Sequence, residues 1–226
     1  MLASGTFSGA LNTGLILSKS ISIRAQVANT VTLQGQRNKP VFTIGTSSGV
    51  CNVALSGLVF VGATAQSSGT ANGLGLYVTT ANVTVTQCTF KRFNTLGSGA
   101  AVYAKQLAVV TVVNSRFSWN YADYRAGAVL ASGSSFVNLT GCTLDHNGAS
   151  MSNYGDGGAL SAETYGFALA VQCVFDSNYA ALGASASAWD DTLLILRNST
   201  LRNGTALEGG GVYGRTNNDG QVVIES

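Results

Sequence analysis

Residues 110–120 read Val-Thr-Val-Val-Asn-Ser-Arg-Phe-Ser-Trp-Asn, and the pattern returns 27 places on, at residues 137–147, as Val-Asn-Leu-Thr-Gly-Cys-Thr-Leu-Asp-His-Asn. It returns again at residues 168–178 as Ala-Leu-Ala-Val-Gln-Cys-Val-Phe-Asp-Ser-Asn. Each copy has two apolar residues two places apart, which places them on one face of a strand. The alternation then slips by one place, so a corner separates this strand from a second one that carries a small residue and a bulky apolar residue. An Asn closes the unit, suited to a tight turn in which its side chain bonds to backbone groups.

Outward from this stretch the bulky position becomes a column of Phe60, Phe90, Phe117, Leu144, Phe175 and Leu201, spaced by 30, 27, 27, 31 and 26 residues. Seven and five places before it stand Val53/Leu55, Val83/Val85, Val110/Val112, Val137/Leu139, Ala168/Ala170 and Leu194/Leu196, all apolar. Two places before it stand Leu58, Cys88, Ser115, Cys142, Cys173 and Ser199, and three places after it stand Asn120, Asn147 and Asn178. A third, small-residue strand is expected at Gly99-Ala100-Ala101-Val102, Ala126-Gly127-Ala128-Val129, Gly157-Gly158-Ala159-Leu160, Leu182-Gly183-Ala184-Ser185 and Gly209-Gly210-Gly211-Val212. Three strands per unit and a period of about 27 residues predict an all-β fold, a right-handed parallel β-helix of roughly seven to eight coils. Neighbouring coils would stack about 4.8 Å apart, with like columns packing on themselves. The whole chain is expected to form one such domain, with less regular coils over 1–49, regular repeats over 50–214 and the start of a further coil over 215–226 that continues beyond the chain.

The alternatives fail on spacing. A doubly wound or barrel α/β fold needs helical patterns between strands, and the Gly- and Thr-rich spacers offer none. An antiparallel sandwich would not place inward columns in register at this period.

Phe117-Ser118-Trp119-Asn120, Phe175-Asp176-Ser177-Asn178 and Gly157-Gly158-Ala159-Leu160 resemble the Phe-x-x-Asn and Gly-Gly-Ala repeats of polymorphic outer-membrane proteins, within the larger pectate-lyase-like superfamily. Leu144-Asp145-His146-Asn147 matches with Leu for Phe, and the likeness spans roughly residues 50–214. It departs at Phe90-Lys91-Arg92-Phe93 and at Leu201-Arg202-Asn203-Gly204. The resemblance implies an extracellular or cell-surface location and an adhesive or structural role in contact with other copies or domains of the same assembly, and with glycans. Similar helices also occur among carbohydrate-active enzymes, so fold alone does not choose between them.

Composition supports a quiet surface. Only 10% of residues are charged and the net charge is +2, whereas Ser, Thr and Asn number 24, 22 and 17. No clustered basic footprint points to nucleic acid. Apolar runs such as 107–113 and 167–175 are too short to cross a bilayer, so no direct membrane insertion is expected. Met1-Leu2-Ala3-Ser4-Gly5 lacks the pattern of a secretory signal, and any such signal is expected upstream or removed.

The carboxylates offer one pair for chemistry. Asp145 and Asp176 each follow the bulky column in successive coils; a calcium ion or two-carboxylate catalysis is conceivable there, but the preferred reading is two solvated carboxylates at a turn. Asp190-Asp191 reads as a turn former, His146 has no nucleophile in its column, and Gly209-Gly210-Gly211 is followed by no helix, so no catalytic residue and no cofactor is expected. Cys142 and Cys173 share an inward column in adjacent coils, which suits either stacked thiols or one bridge, while Cys88 lies two coils from Cys142 and is too far to pair. Sequons at Asn82 and Asn138 fall on outward strand positions, and those at Asn198 and Asn203 on corners, where N-glycans could attach. Outward Thr84, Thr86, Thr111 and Thr140 raise ice binding, but Leu169, Val171 and Ile195 interrupt the array and suggest lateral contact with another chain. The function expected is a non-catalytic scaffold, with a carbohydrate-active enzyme or glycan-binding module as the alternative and ice binding as a second.

Overall fold

The structure is a computed structural model that describes residues 1–36, 38–46, 49–62, 71–152, 154–215 and 220–226. Among these residues the chain winds as a right-handed solenoid in which each strand pairs in parallel with the strand one coil away. Sheet 1 runs over eight strands from Ile21–Arg24 to Gln221–Glu225, and sheet 2 over eight from Gly5–Phe7 to Thr200–Arg202. Sheet 4 runs over eight from Leu15–Leu17 to Val212–Arg215. Between sheets 2 and 4 lies a short sheet 3 of five strands, from Asn94–Thr95 to Thr205–Glu208, which the sequence pattern does not reveal.

Strand pairing reproduces the columns. Val83, Val110, Val137, Ala168 and Leu194 align, as do Val85, Val112, Leu139, Ala170 and Leu196. Phe60, Phe90, Phe117, Leu144, Phe175 and Leu201 form one file across sheet 2. All but Leu201 are fully buried, and the rings of Phe60, Phe90 and Phe117 stack at 4.5 and 5.0 Å. Offset stacking at these distances adds to the area each ring removes from water.

The small-residue quartets are displaced from their expected role. Sheet 4 begins at their last residue or just after it, at Val102, Val129, Leu160, Ala186 and Val212, and the Gly and Ala residues before these form the corner leading in. The Gly-Gly-Ala motif has two physical causes. Gly157 adopts a left-handed backbone at φ 59°, and at Gly158 a Cβ would run into the carbonyls of Tyr179 and Ala184.

Left-handed residues recur at the other corners too. Gln87, Asn114, Gly141, Gln172 and Asn198 turn the chain from sheet 1 to sheet 2, and Arg92, Trp119, His146, Ser177 and Asn203 turn it from sheet 2 to sheet 3. Each non-glycine residue of this kind costs about 1 kcal/mol. The cost is offset because corner amides still reach the next coil, as in Asn114 N–H to the Thr140 carbonyl at 2.9 Å and His146 N–H to the Asp176 carbonyl at 3.0 Å.

Behind the second of these corners Asn120, Asn147 and Asn178 form a buried amide ladder. Asn147 Nδ2 donates to the Phe117 carbonyl at 3.0 Å and to Asn178 Oδ1 at 3.2 Å. Its Oδ1 accepts from the Asn120 amide at 3.1 Å and from Asn120 Nδ2 at 2.9 Å.

The column of Leu58, Cys88, Ser115, Cys142, Cys173 and Ser199 closes the corner between sheets 1 and 2. Cys88, Cys142 and Cys173 each donate to the carbonyl two residues back at 3.4 Å, and Ser115 donates to its own at 2.9 Å. Thiol and hydroxyl are therefore interchangeable there. All four cysteines, Cys51 included, are free and buried, and burial pushes the Cys88 thiol up to about 11. The coil spacing of about 4.8 Å lies within the Cα range of a disulfide, but Cys142 and Cys173 are both free thiols, each bonded to a carbonyl. The native protein should have the same mass before and after reduction and resist a water-soluble thiol alkylator, taking up four equivalents once unfolded. A mass gain on reduction would show that Cys142 and Cys173 are bridged.

Candidate functional site

The outer face of sheet 2 carries the carboxylate pair singled out from the sequence. Asp145 and Asp176 lie directly opposite each other in adjacent strands. Neither is a free carboxylate at a turn: Asp145 is 5% exposed, and Arg116 grips both its oxygens, from Nε at 2.8 Å and from a terminal nitrogen at 2.9 Å. His146 Nδ1 stands 3.2 Å from Asp145 Oδ2, and the His146 ring stacks on Trp119 at 4.3 Å. Asp176 accepts from Arg202 Nε at 3.0 Å, from Asn203 Nδ2 at 2.9 Å and from Ser177 Oγ at 3.0 Å. The Asn203 amide first, then the Ser177 hydroxyl and Arg202, holds the half-buried Asp176 carboxyl below the usual carboxylate range. Each carboxylate is thus bound to an arginine of a neighbouring coil, Arg116 on one side and Arg202 on the other. Among the described residues no group of three or more His, Cys, Asp or Glu side chains is placed to hold a metal ion.

A second polar cluster lies on sheet 4 and was not identified from the sequence. Arg125 and Asp156 occupy equivalent places in successive coils, just before the glycine corner, and bridge to each other. Arg125 Nε donates to Asp156 Oδ2 at 3.0 Å, its terminal nitrogen pairs with Glu163, and its guanidinium lies 5.0 Å from the centre of the Trp189 ring. Arg215 approaches the same ring at 5.5 Å. Beneath them Ser161 and Ser187 donate to Asp156 Oδ1 at 3.1 and 2.8 Å. Glu163, Trp189 and Arg215 form one outward column and Ser161 and Ser187 another. The sequence signal for this cluster is the shared register of Glu163, Trp189 and Arg215 after successive glycine corners, with Arg125 and Asp156 in one register just before them.

Asp156 is 1% exposed, and burial outweighs Arg125 and the two hydroxyls, pushing its carboxyl from 3.8 up to about 6. A carboxyl with a higher pKa folded than unfolded stabilises the fold in its protonated form. That contribution is complete below the unfolded pKa and is lost as pH rises through the folded one. Two units correspond to about 3 kcal/mol. The stability of the wild type relative to Asp156→Asn should therefore fall between about pH 4 and pH 7, read from urea midpoints. A difference that does not change with pH would contradict this burial effect.

The remaining sites separate by exposure. Asn82, Asn198 and Asn203 are exposed, and Asn198 and Asn203 sit at left-handed corners. Asn82 Nδ2 donates to Asn52 Oδ1 at 3.0 Å, and Asn203 Nδ2 is held by Asp176. Asn138 is half-buried, with its Oδ1 enclosed and without a hydrogen-bond partner among the described residues. Leu169, Val171 and Ile195 face outward from sheet 1 but are half-buried, beside the Phe136–Phe167 stack at 4.8 Å. Their central column runs Ser22, Ala54, Thr84, Thr111, Asn138, Leu169, Ile195 and Val223, so hydroxyls never fill more than two consecutive places.

No curated protein and no solved structure matches this chain. The family model described as the right handed beta helix region matches residues 19–201. With most of its length matched and its strands stacked in parallel coils, the chain belongs to the right-handed β-helix family.

Proposed function

We propose that this chain is a non-catalytic structural or adhesive scaffold, a segment of a larger extracellular or cell-surface assembly. The observation that carries this reading is the state of its carboxylates: the Asp145–Asp176 pair is spent on inter-coil ion pairs with Arg116 and Arg202. A general acid or base must keep an oxygen within reach of substrate, and Arg116 engages both oxygens of Asp145. The likeness of the Phe-x-x-Asn and Gly-Gly-Ala segments to polymorphic outer-membrane repeats supports a surface role. The outward Leu169, Val171 and Ile195 columns supply a face for lateral contact with a further copy, and strictly monomeric behaviour of the intact protein would count against that contact. Incubation with pectin, alginate and neutral glycans, with and without calcium, should release no new chain ends. Calcium-dependent cleavage that disappears in Asp145→Ala would establish the enzyme reading instead.

One observation favours a second reading, a glycan-binding module. The Tyr179 ring lies across Gly148 towards Tyr121, with centroids 6.4 Å apart, and Trp119 and His146 stack on each other at the corner that leads into this sheet. Aromatic faces with polar neighbours suit the C–H faces and hydroxyls of a sugar ring. Retention on immobilised glycans that is lost in Tyr179→Ala would support it, and unchanged retention would remove it.

A further inference from the structure

The outer face of sheet 1 differs from those of the other long sheets. Its strands Cys51–Ser56, Ala81–Thr86, Val109–Val113, Phe136–Thr140 and Phe167–Val171 carry no charged side chain. Sheet 2, by contrast, presents Lys91, Arg116 and Asp145, and sheet 4 presents Lys105, Glu163 and Arg215. Depletion of charge marks the centre of an interface more than apolar content does.

The three outward columns of sheet 1 are also matched in kind, coil by coil. Asn82 and Thr86 flank the central column in one coil, Val109 and Val113 in the next, and Phe167 and Val171 in a third. The central column itself is polar at Thr84, Thr111 and Asn138 and apolar at Leu169 and Ile195. Resting on the lateral contact put forward above, we propose that two copies pack sheet 1 against sheet 1 about a two-fold axis parallel to the solenoid, each coil facing the same coil of its partner.

Such an axis turns the first outward column of one copy onto the third column of the other, and the central column onto its own counterpart. Asn82 then meets Thr86, Val109 meets Val113, Phe167 meets Val171, and Leu169 meets Leu169. Solenoids running in opposite directions would instead set Thr84 and Thr111 against Ile195 and Leu169, enclosing hydroxyls among apolar chains. The match between a face and itself is what selects a second copy as the occupant, and such a contact closes at two. The area suffices as well. Eight strands about 4.8 Å apart and about five residues long offer a face of about 38 by 17 Å, and two such faces bury about 1,300 Å², within the range of specific interfaces. Arg24, Arg197 and Glu225 lie in the third column towards the two ends, and so stay at the rim. The contact requires Asn82 and Asn138 to be free of glycans, whereas Asn198 and Asn203 stand at corners off this face.

Leu169 facing its own counterpart gives the test. Sedimentation velocity should show the wild-type chain as a dimer at micromolar concentration. Leu169→Lys and Leu169→Asp should each be monomeric, because like charges would then oppose each other, and an equimolar mixture of the two should return to the dimer. That return also shows that both variants are folded. Thr84→Cys and Ile195→Cys, each alone, should be joined to a like chain by a short bismaleimide, the native thiols being buried. A monomeric wild type would overturn both this arrangement and the lateral contact on which it rests. A wild-type dimer whose two Leu169 variants do not re-form it together, or whose cysteine variants are joined only to each other, would overturn the arrangement and leave lateral contact standing. Species larger than a dimer, or a glycan on Asn138 of the native protein, would overturn it too.

Discussion

Replacing Asn147 with alanine is expected to lower the free energy of unfolding by about 4 kcal/mol, since each buried group left without a partner costs about 1–3 kcal/mol. Asn147 is fully buried and serves three coils at once. Without it the Asn120 amide loses its acceptor, Asn120 Nδ2 loses one of two, and the Phe117 carbonyl and Asn178 Oδ1 each lose a donor. Water cannot replace these bonds without opening the corner. Asn147→Asp should be no better, because a carboxylate accepts but cannot donate and would bury a charge. Urea unfolding of Asn147→Ala beside Asn203→Ala, whose amide is exposed, measures the difference. A loss below about 1 kcal/mol would mean that the ladder contributes no more than an ordinary net hydrogen bond.

The second large effect is expected at Phe117. Its ring is fully buried, stacks on Phe90 at 5.0 Å and 8°, and has Leu144 on its other side in the file. Phe117→Ala should cost about 4 kcal/mol, within the range for removing a buried ring. Relaxation should recover little of this, because the strands on both sides are pinned by parallel pairing along the whole file and cannot close on the cavity. Leu201→Ala, at the half-buried end of the same file, should cost clearly less. Equal losses at the two positions, read from the same urea titrations, would contradict the deeper burial of Phe117.

These residues also show what a single sequence discloses. The Phe file, the paired Val columns and the Asn ladder are legible because stacking places chemically similar residues at one period, and the strand pairing repeats that alignment. Sheet 3 is not legible. Its strands are as short as Asn94–Thr95 and Gly148–Ala149, too brief to alternate. The Gly-Gly-Ala quartets read as strand because small residues also suit a flat inner face, whereas Gly157 is there for its left-handed backbone and Gly158 for the closeness of the next coil's carbonyls. The positions of Asp145 and Asp176 followed from the spacing, but their partners did not. Arg116 reaches Asp145 on a diagonal, from the place before the Phe file, so no single column contains both. The Arg125–Asp156–Glu163 cluster escaped because it joins a corner to a strand across two coils.

The claim that the sheet 2 carboxylates hold coils together instead of acting on a substrate can be measured as one coupling energy. Urea unfolding of the wild type, Arg116→Met, Asp145→Asn and the double variant closes the cycle. With Asp145 enclosed, Arg116 half-exposed and both oxygens bonded, a coupling of about 1–2 kcal/mol is expected, at or above the upper end for exposed pairs. A coupling near zero, with the Asp145→Asn chain as stable as the wild type, would contradict a structural role for the pair.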